Sequence, residues 1–351
     1  MDGIDASIIQ SDGETKYEVI LDKYFKFNKV LYKDLTKIRD KINNSKDLKK
    51  LSKKLKIIEK KITFMHFEVI KKILKESNVK IDFIGFHGQT IFHNAKSKIS
   101  KQLGDAKLLS KLTRKTIIYN FRKNDLKNGG QGAPLTPVFH KLLEKKLKIK
   151  PVTFVNIGGV VNITTIDNKN NLSATDIGPG MCLLDKWIRV HTKKKFDFNG
   201  SIAKSGKINK IKLKKELKIF FKKKSYNENK IVKSFDIKDF STSFVKGLSL
   251  KNGAATLTAF TANIIKSSLN HKKKSKVVLC GGGRKNKFLV SKIKNTSINL
   301  KLIDDYKING DFVESQAFAY LAIRSYLKKP ISFPKTTGVK KPCTGGVIIK
   351  N

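Results

Sequence analysis

Between residues 47 and 76 apolar side chains recur at Leu48, Leu51, Leu55, Ile58, Ile62, Met65, Val69 and Ile73. Steps of three and four keep them on one stripe of a helix, and the lysines between them form its solvated face. The pattern then changes. IDFIGFHGQTIFH (81–93) predicts a buried strand running into a polar loop, and KTIIYNFRKND (115–125) predicts a second strand-to-loop unit. NGGQGAPLTP (128–137) is a Gly/Pro-rich loop that leads into a helix near 138–147. PVTFVNIGGVVNITTID (151–167) predicts a hairpin, with two β-rich arms around Gly158-Gly159. Residues 179–194 predict a helix with Pro179 in its first turn, where the missing N–H costs nothing. TLTAFTANIIKSSL (256–269) predicts an apolar helix, KVVLCGGGRKN (276–286) a buried strand entering a triple glycine, and 311–327 a last long helix. The Lys-rich stretch 207–246 has no clear period. The order is mixed α/β, and in such folds the loops after strands carry the ligands.

Composition narrows this picture. A chain of 351 residues, 39% hydrophobic and 29% charged, is long enough for two domains. No apolar run of about 18 residues predicts a membrane span. The N-terminal segment MDGIDASIIQSDGE is acidic, unlike a secretory signal. Cys182, Cys280 and Cys343 form neither a metal spacing nor a disulfide framework, which fits a reducing cytoplasm. The net charge of +47 raises the question of nucleic acid. Only six of the 75 basic residues are arginine, the residue that makes bidentate contacts to phosphate and guanine. The lysines are spread along helix faces among Ile and Asn, as AT-rich codons would produce, and no basic-aromatic platform is present. No specific nucleic-acid partner is therefore expected.

Four glycine turns carry the candidate chemistry: DG (2–3), NIGG (156–159), DIGPG (176–180) and CGGG (280–283). Glycine lets backbone N–H groups approach a phosphate, and a helix start adds a favourable dipole. Four such turns with interleaved Asp residues point to a bound nucleotide, although the triple glycine also suits close packing alone. Neither a Walker A nor a GxGxxG pattern occurs. Asp176 could be a carboxylate held by a stiff turn to orient one water, or a helix N-cap. Asp311-x-x-Glu314 has capping-box form for the last helix.

GFHGQTIFH (85–93), NFRKNDLKNGGQGAPLTPVFH (120–140), NIGGVVNIT (156–164), DIGPGMCLLDKW (176–187), VVLCGGG (277–283) and ESQAFAYLA (314–322), in this order, resemble anhydro-N-acetylmuramic acid kinases. The resemblance runs nearly end to end. It implies a two-lobed actin-like ATPase fold of the sugar kinase/Hsp70/actin superfamily, with the active site in the interlobe cleft. An N-terminal lobe over 1–148 and a C-terminal lobe over 149–351 are expected. The implied enzyme is a phosphotransferase with an alcohol acceptor. It uses ATP and water to open the 1,6-anhydro ring and phosphorylate O6, giving N-acetylmuramic acid 6-phosphate in peptidoglycan recycling and amino-sugar catabolism.

Carried over position by position, Asp176 is the general base, and Thr90, Arg122 and Glu314 bind the sugar. Met1, Asp2, Gly3, Ile4, Asp5, Gly158, Gly159, Gly281, Gly282 and Gly283 bind ATP, with Asp2 reaching a magnesium ion directly or through water. His87 and His93 read as core or loop-bracing histidines, and Gln102, Gly104 and Asp105 as a loop that could add pocket contacts. The family pairs as homodimers. Three departures stand out. The Gly-Thr-Ser part of the first phosphate loop and the strand before it would lie upstream of Met1. Met181 replaces the usual Asn, and Lys233-Ser234-Phe235-Asp236-Ile237 lacks the family's arginine. A non-catalytic relative that binds sugar or nucleotide with a truncated phosphate loop is the alternative these departures leave open.

If charge alone drives any DNA binding, a salt titration will show a steep loss of affinity with no preference among sequences. A preference that survives in high salt would contradict the reading of the lysines.

Overall fold

The computed structural model describes residues 3–225, 234–270, 275–294 and 299–350. The chain divides into two compact units, Met1–Lys146 with Asp311–Asn351, and Leu147–Gly310.

The first unit opens with an antiparallel hairpin, β1 (Gly3–Ser11) and β2 (Tyr17–Lys26). Helices α1 (Lys29–Lys41), α2 (Ser45–Lys50) and α3 (Ser52–Ser77) follow. The periodic stretch 47–76 is thus two helices, broken at Leu51, which caps the C-terminus of the short α2 that the Asn44 and Asp47 capping box opens. The predicted stripe holds across the break. Leu55, Ile58, Ile62 and Val69 are buried against Leu31, Leu35, Ile38 and Ile4, with Leu48, Leu51 and Met65 partly buried beside them. A left-handed Asn78 ends α3.

Strands β3 (Phe83–Phe86), β4 (Gln89–Asn94) and β5 (Ile99–Leu103) come next, then α4 (Ala106–Thr113), β6 (Thr116–Tyr119), α5 (Arg122–Lys127) and α6 (Pro137–Leu147). The polar loop expected after β3 is therefore mostly strand. β4 pairs with β5 around a register shift between Thr90 and Phe92, with Ile91 buried and Phe92 partly buried against the same core.

The second unit holds β7 (Val152–Ile157), β8 (Val160–Ile166), β9 (Leu172–Pro179), α7 (Cys182–His191), α8 (Ser201–Lys204), α9 (Lys210–Ser225), α10 (Leu250–Leu269), β10 (Lys276–Cys280), α11 (Lys287–Ile293) and β11 (Leu300–Leu302). Its sheet runs β11-β10-β7-β8-β9. The expected hairpin is β7–β8, extended by β9 into an antiparallel meander, and β10 and β11 join in parallel on the other side. Such parallel neighbours need crossovers, here built around α10 and α11. Helix α10 is apolar nearly all round and buried, as that pattern requires. Gly253 on α10 makes room for Trp187 of α7. A Cβ there would lie 2.4 Å from the indole, whose Nε1 donates to the Leu250 carbonyl.

The chain then returns to the first unit through α12 (Val313–Tyr326), α13 (Pro334–Thr337) and β12 (Val347–Ile349). β12 adds antiparallel to β6, giving a sheet β12-β6-β3. The division falls at Lys146/Leu147, and residues 311–351 pack with the N-terminal segment and not with 147–310. β6 offers an open edge, and Tyr17 and Asp22 of β2 offer hydrogen-bond partners to Gln316 of α12. Among the described residues no helix is long and apolar enough to cross a membrane.

Burial holds three histidines of the first unit neutral. It pushes His66 down to about 4, His87 to about 3 and His140 to about 3. Unfolded, the same rings take a proton near 6.5. Their contribution to stability is complete above that value and is lost as pH falls from about 6.5 toward 3. Asp185, raised by burial to about 6, has the opposite sign and offsets part of the loss. Urea unfolding midpoints should therefore fall between pH 6.5 and 4. His140→Leu should make that fall shallower, and an unchanged slope would contradict the neutral state assigned to His140.

Candidate active site

In the second unit three glycine turns meet at the ends of β7, β9 and β10. Gly180 passes so close to the β7–β8 turn that a Cβ would lie 2.3 Å from the Gly158 carbonyl oxygen. The Gly180 and Met181 amides donate to the carbonyls of Gly159 and Gly158. On the other side Gly281, at φ +75°, would put a Cβ 2.4 Å from Asn156 Oδ1, and a Cβ on Gly283 would lie 2.2 Å from Ile157 Cγ2. Close packing therefore accounts for Gly281 and Gly283. It does not account for Gly282, whose Cβ direction has nothing within 4 Å.

Arg284 pins this loop. It is 4% exposed and pairs in bidentate fashion with Asp304, Nε to Oδ2 at 2.6 Å and Nη2 to Oδ1 at 2.9 Å. Its Nη1 donates to the Gly281 carbonyl at 3.1 Å. The pairing holds the Asp304 carboxyl below the usual carboxylate range. Sequence reading passed over Arg284; that it is one of only six arginines was the available signal.

Asp176 lies on β9, 7% exposed, opposite Asn162 and next to the bulge at Val161/Asn162. Its Oδ2 accepts the Phe235 backbone N–H at 2.8 Å. The helix expected from 179 starts later. Pro179 is the last residue of β9, and α7 begins at Cys182 after an N-cap, Met181, that makes no side-chain cap. The antiparallel pairing to β8 continues through Val160↔Pro179 and keeps the chain extended, so Asp176 is no helix cap. Cys182, next in the turn, stays a thiol because burial pushes it up to about 12. Asp185, raised to about 6 by burial, with Arg189 lowering it and Asp197 raising it, is the carboxyl of α7, which sequence reading did not single out.

The other predicted residues lie in the first unit. Thr90 on β4 accepts from Gln102 Nε2 at 3.2 Å, and the same nitrogen donates to Ser100 Oγ at 2.7 Å. Asp105, expected as a pocket residue with Gln102 and Gly104, caps α4 by accepting from Leu108. Arg122 opens α5 and donates from Nη1 to the Gly132 carbonyl at 2.7 Å. Gly132 is also next to His93, so the 128–132 loop joins the Arg122 end of α5 to the β4–β5 ribbon. Buried Asp125 fixes that loop, accepting from Gly132 N at 2.5 Å while its carbonyl accepts from Gly130 N.

Glu314 is exposed in the first turn of α12. The capping box expected of Asp311 and Glu314 does not form, because the helix starts one residue later with Phe312 as N-cap. Gly3, Ile4 and Asp5, expected at the end of a phosphate loop, are strand residues of β1, paired with Lys26, Phe25 and Tyr24. Met1 and Asp2 lie outside the described residues, as does Lys233. Among the described residues no group of three or more His, Cys, Asp or Glu could hold a metal ion.

Glycine turns after strands, gathered around a helix start with a buried carboxylate on the adjacent strand, are how α/β proteins hold phosphate-bearing ligands. The family model described as anhydro-N-acetylmuramic acid kinase matches residues 1–351. The protein of that name from Pelagibacter ubique (strain HTCC1062) is 53% identical, covering 100% of this chain and 96% of its own. Those of Zymomonas mobilis subsp. mobilis (39%; 82% and 79%) and Agrobacterium fabrum (34%; 100% and 96%) follow. Among solved structures, the activator of the 2-hydroxyisocaproyl-CoA dehydratase from Clostridium difficile with bound ADPNP covers 91% of this chain and 94% of its own at 11% identity. Its TM-score of 0.43 is too low to carry an argument. This chain belongs to the anhydro-N-acetylmuramic acid kinase family.

Gly281→Ala should destabilise the protein by about 1–3 kcal/mol, because the new Cβ meets Asn156 and the Ile157 carbonyl. Gly282→Ala should leave thermal stability close to wild type. A large loss of stability in Gly282→Ala would contradict the open face assigned to that residue.

Proposed function

We propose that this chain is an ATP-dependent kinase that opens the 1,6-anhydro ring of anhydro-N-acetylmuramic acid with water and phosphorylates O6. The product is N-acetylmuramic acid 6-phosphate, and the setting is cytoplasmic cell-wall recycling. The observation that carries this reading is the family match over residues 1–351. The placement of Asp176, with no capping duty to explain it, adds to it.

Asp176 acts as general base. A carboxylate on a paired strand loses little entropy when it orients a water. The Phe235 N–H on Oδ2 holds the plane of the group toward its task as proton acceptor. Proton removal makes the water nucleophilic toward the anomeric carbon; its attack breaks the C1–O6 bond of the anhydro bridge, and the freed O6 takes the γ-phosphoryl group of ATP, with ADP leaving. Arg122 suits the acid group of the sugar, since a guanidinium matches a carboxylate in shape and charge. Thr90 and Glu314 supply an acceptor or donor for its hydroxyl and amide groups.

Gly281, Gly282 and Gly283, with Gly158 and Gly159, form the nucleotide side, where the unfilled Cβ direction of Gly282 allows close approach of a phosphate. Gly3, Ile4 and Asp5 belong to that side by resemblance. ATP supplies the phosphoryl group and magnesium offsets its charge. An ion carried on the nucleotide asks for only one or two carboxylates, such as Asp2. A homodimer is the expected assembly.

The test is sugar-dependent ADP release. Asp176→Asn keeps an oxygen for the Phe235 N–H but cannot take a proton, so kcat should fall by about 10²–10⁴ with the fold retained. Turnover close to wild type in that variant would remove Asp176 as the base. No turnover by the folded wild type with 1,6-anhydro-N-acetylmuramic acid would remove the reading itself.

A further inference from the structure

His87 follows β3, between buried Phe86 and Gly88, with its ring centroid 4.0 Å from that of Phe318 on α12. Both ring nitrogens have polar neighbours. Nδ1 is 2.9 Å from the Gly88 carbonyl oxygen, which can only accept, so Nδ1 carries the hydrogen. Nε2 is 3.1 Å from Arg122 Nη2, which can only donate, so Nε2 offers its lone pair. The two contacts select one neutral tautomer. Protonation would place a second cation against the guanidinium. Burial first, then Arg122, and more weakly the neighbouring His66, push the ring down to about 3, with the Gly88 bond opposing them.

Arg122 is therefore gripped from two sides. Nη2 donates to His87, and Nη1 donates to the Gly132 carbonyl, itself set by Asp125. Two bonds to different nitrogens fix the plane of a guanidinium as well as its position. A histidine that only filled space against Phe318 would not need the Gly88 contact to choose its tautomer.

We propose that His87 is a positioning residue: its Nε2 lone pair fixes the orientation in which Arg122 meets the anionic sugar. The proposal rests on the reading of Arg122 as a sugar-binding residue. It gives His87 no proton to move. Its lone pair is committed to Arg122 and its hydrogen to Gly88.

The experiment compares His87→Phe, His87→Gln, Arg122→Met and the double variant His87→Phe/Arg122→Met. Thermal unfolding checks the fold, and steady-state kinetics give KM for the sugar, KM for ATP and kcat. His87→Phe keeps the packing and loses the acceptor, so KM for the sugar should rise on the order of tenfold, with KM for ATP unchanged. His87→Gln, whose amide oxygen reaches the place of Nε2, should recover most of that loss. The double variant should be no worse than Arg122→Met alone, because the two residues act through one contact. If His87→Phe fails to fold, His87→Asn replaces it, its amide ending near the place of Nδ1. A glutamine variant as impaired as phenylalanine, or additive losses in the double variant, would overturn the positioning role and leave the sugar-binding reading standing. Unchanged KM for the sugar in Arg122→Met would instead remove that reading, and the proposal with it.

Discussion

The second unit depends on backbone meeting backbone at the ends of β7, β9 and β10. Gly180 lies against the Gly158 carbonyl, Gly281 against Asn156 and Ile157, and Gly283 against the Ile157 side chain. Any Cβ at these points would force the turns apart. Their approach lets the Gly180, Met181 and Cys182 amides donate to the Gly158 and Gly159 carbonyls just before α7. It also leaves Gly282 uncovered while its neighbours are locked. Buried Arg284, paired with the exposed Asp304, holds the loop from behind through the Gly281 carbonyl.

The first unit reaches a similar end by other means. Its polar cluster is set by side chains: Asp125 for the 128–132 loop, Gly132 and His87 for Arg122, and Gln102 and Ser100 near Thr90. Arg122 is held by two bonds to different nitrogens, and His87 stays neutral beside it. In a chain of net charge +47, that economy keeps cations on the surface, where water solvates them. The lysines colour the surface and leave the chemistry to a few arginines and carboxylates.

Three alternatives that sequence alone left open were closed by geometry. Asp176 could have been a helix cap, but continued pairing of β9 with β8 delays α7 by several residues. Glu314 could have closed a capping box, but Phe312 takes the N-cap position. The triple glycine could have been packing alone, and for two of its three residues packing suffices. The first and third choices were made by neighbours distant in sequence, which local patterns do not register.

What the sequence determined by itself was periodic or punctuated: the stripe along α2 and α3, the β7–β8 hairpin at Gly158-Gly159, the apolar α10, and the strand running into Gly281-Gly282-Gly283. The motifs, in order, carried the family. These signals are local, because hydrophobic period and glycine conformation act within a few residues. Only the tertiary structure decided that residues 311–351 return to the first unit, since a sheet edge on β6 and polar partners on β2 can be offered only once those strands exist. Only it brought Arg284 to Asp304, Phe235 to Asp176 and His87 to Arg122. Those bonds join residues 20 to 59 positions apart, and hydrogen-bond distance is a property of the folded chain alone.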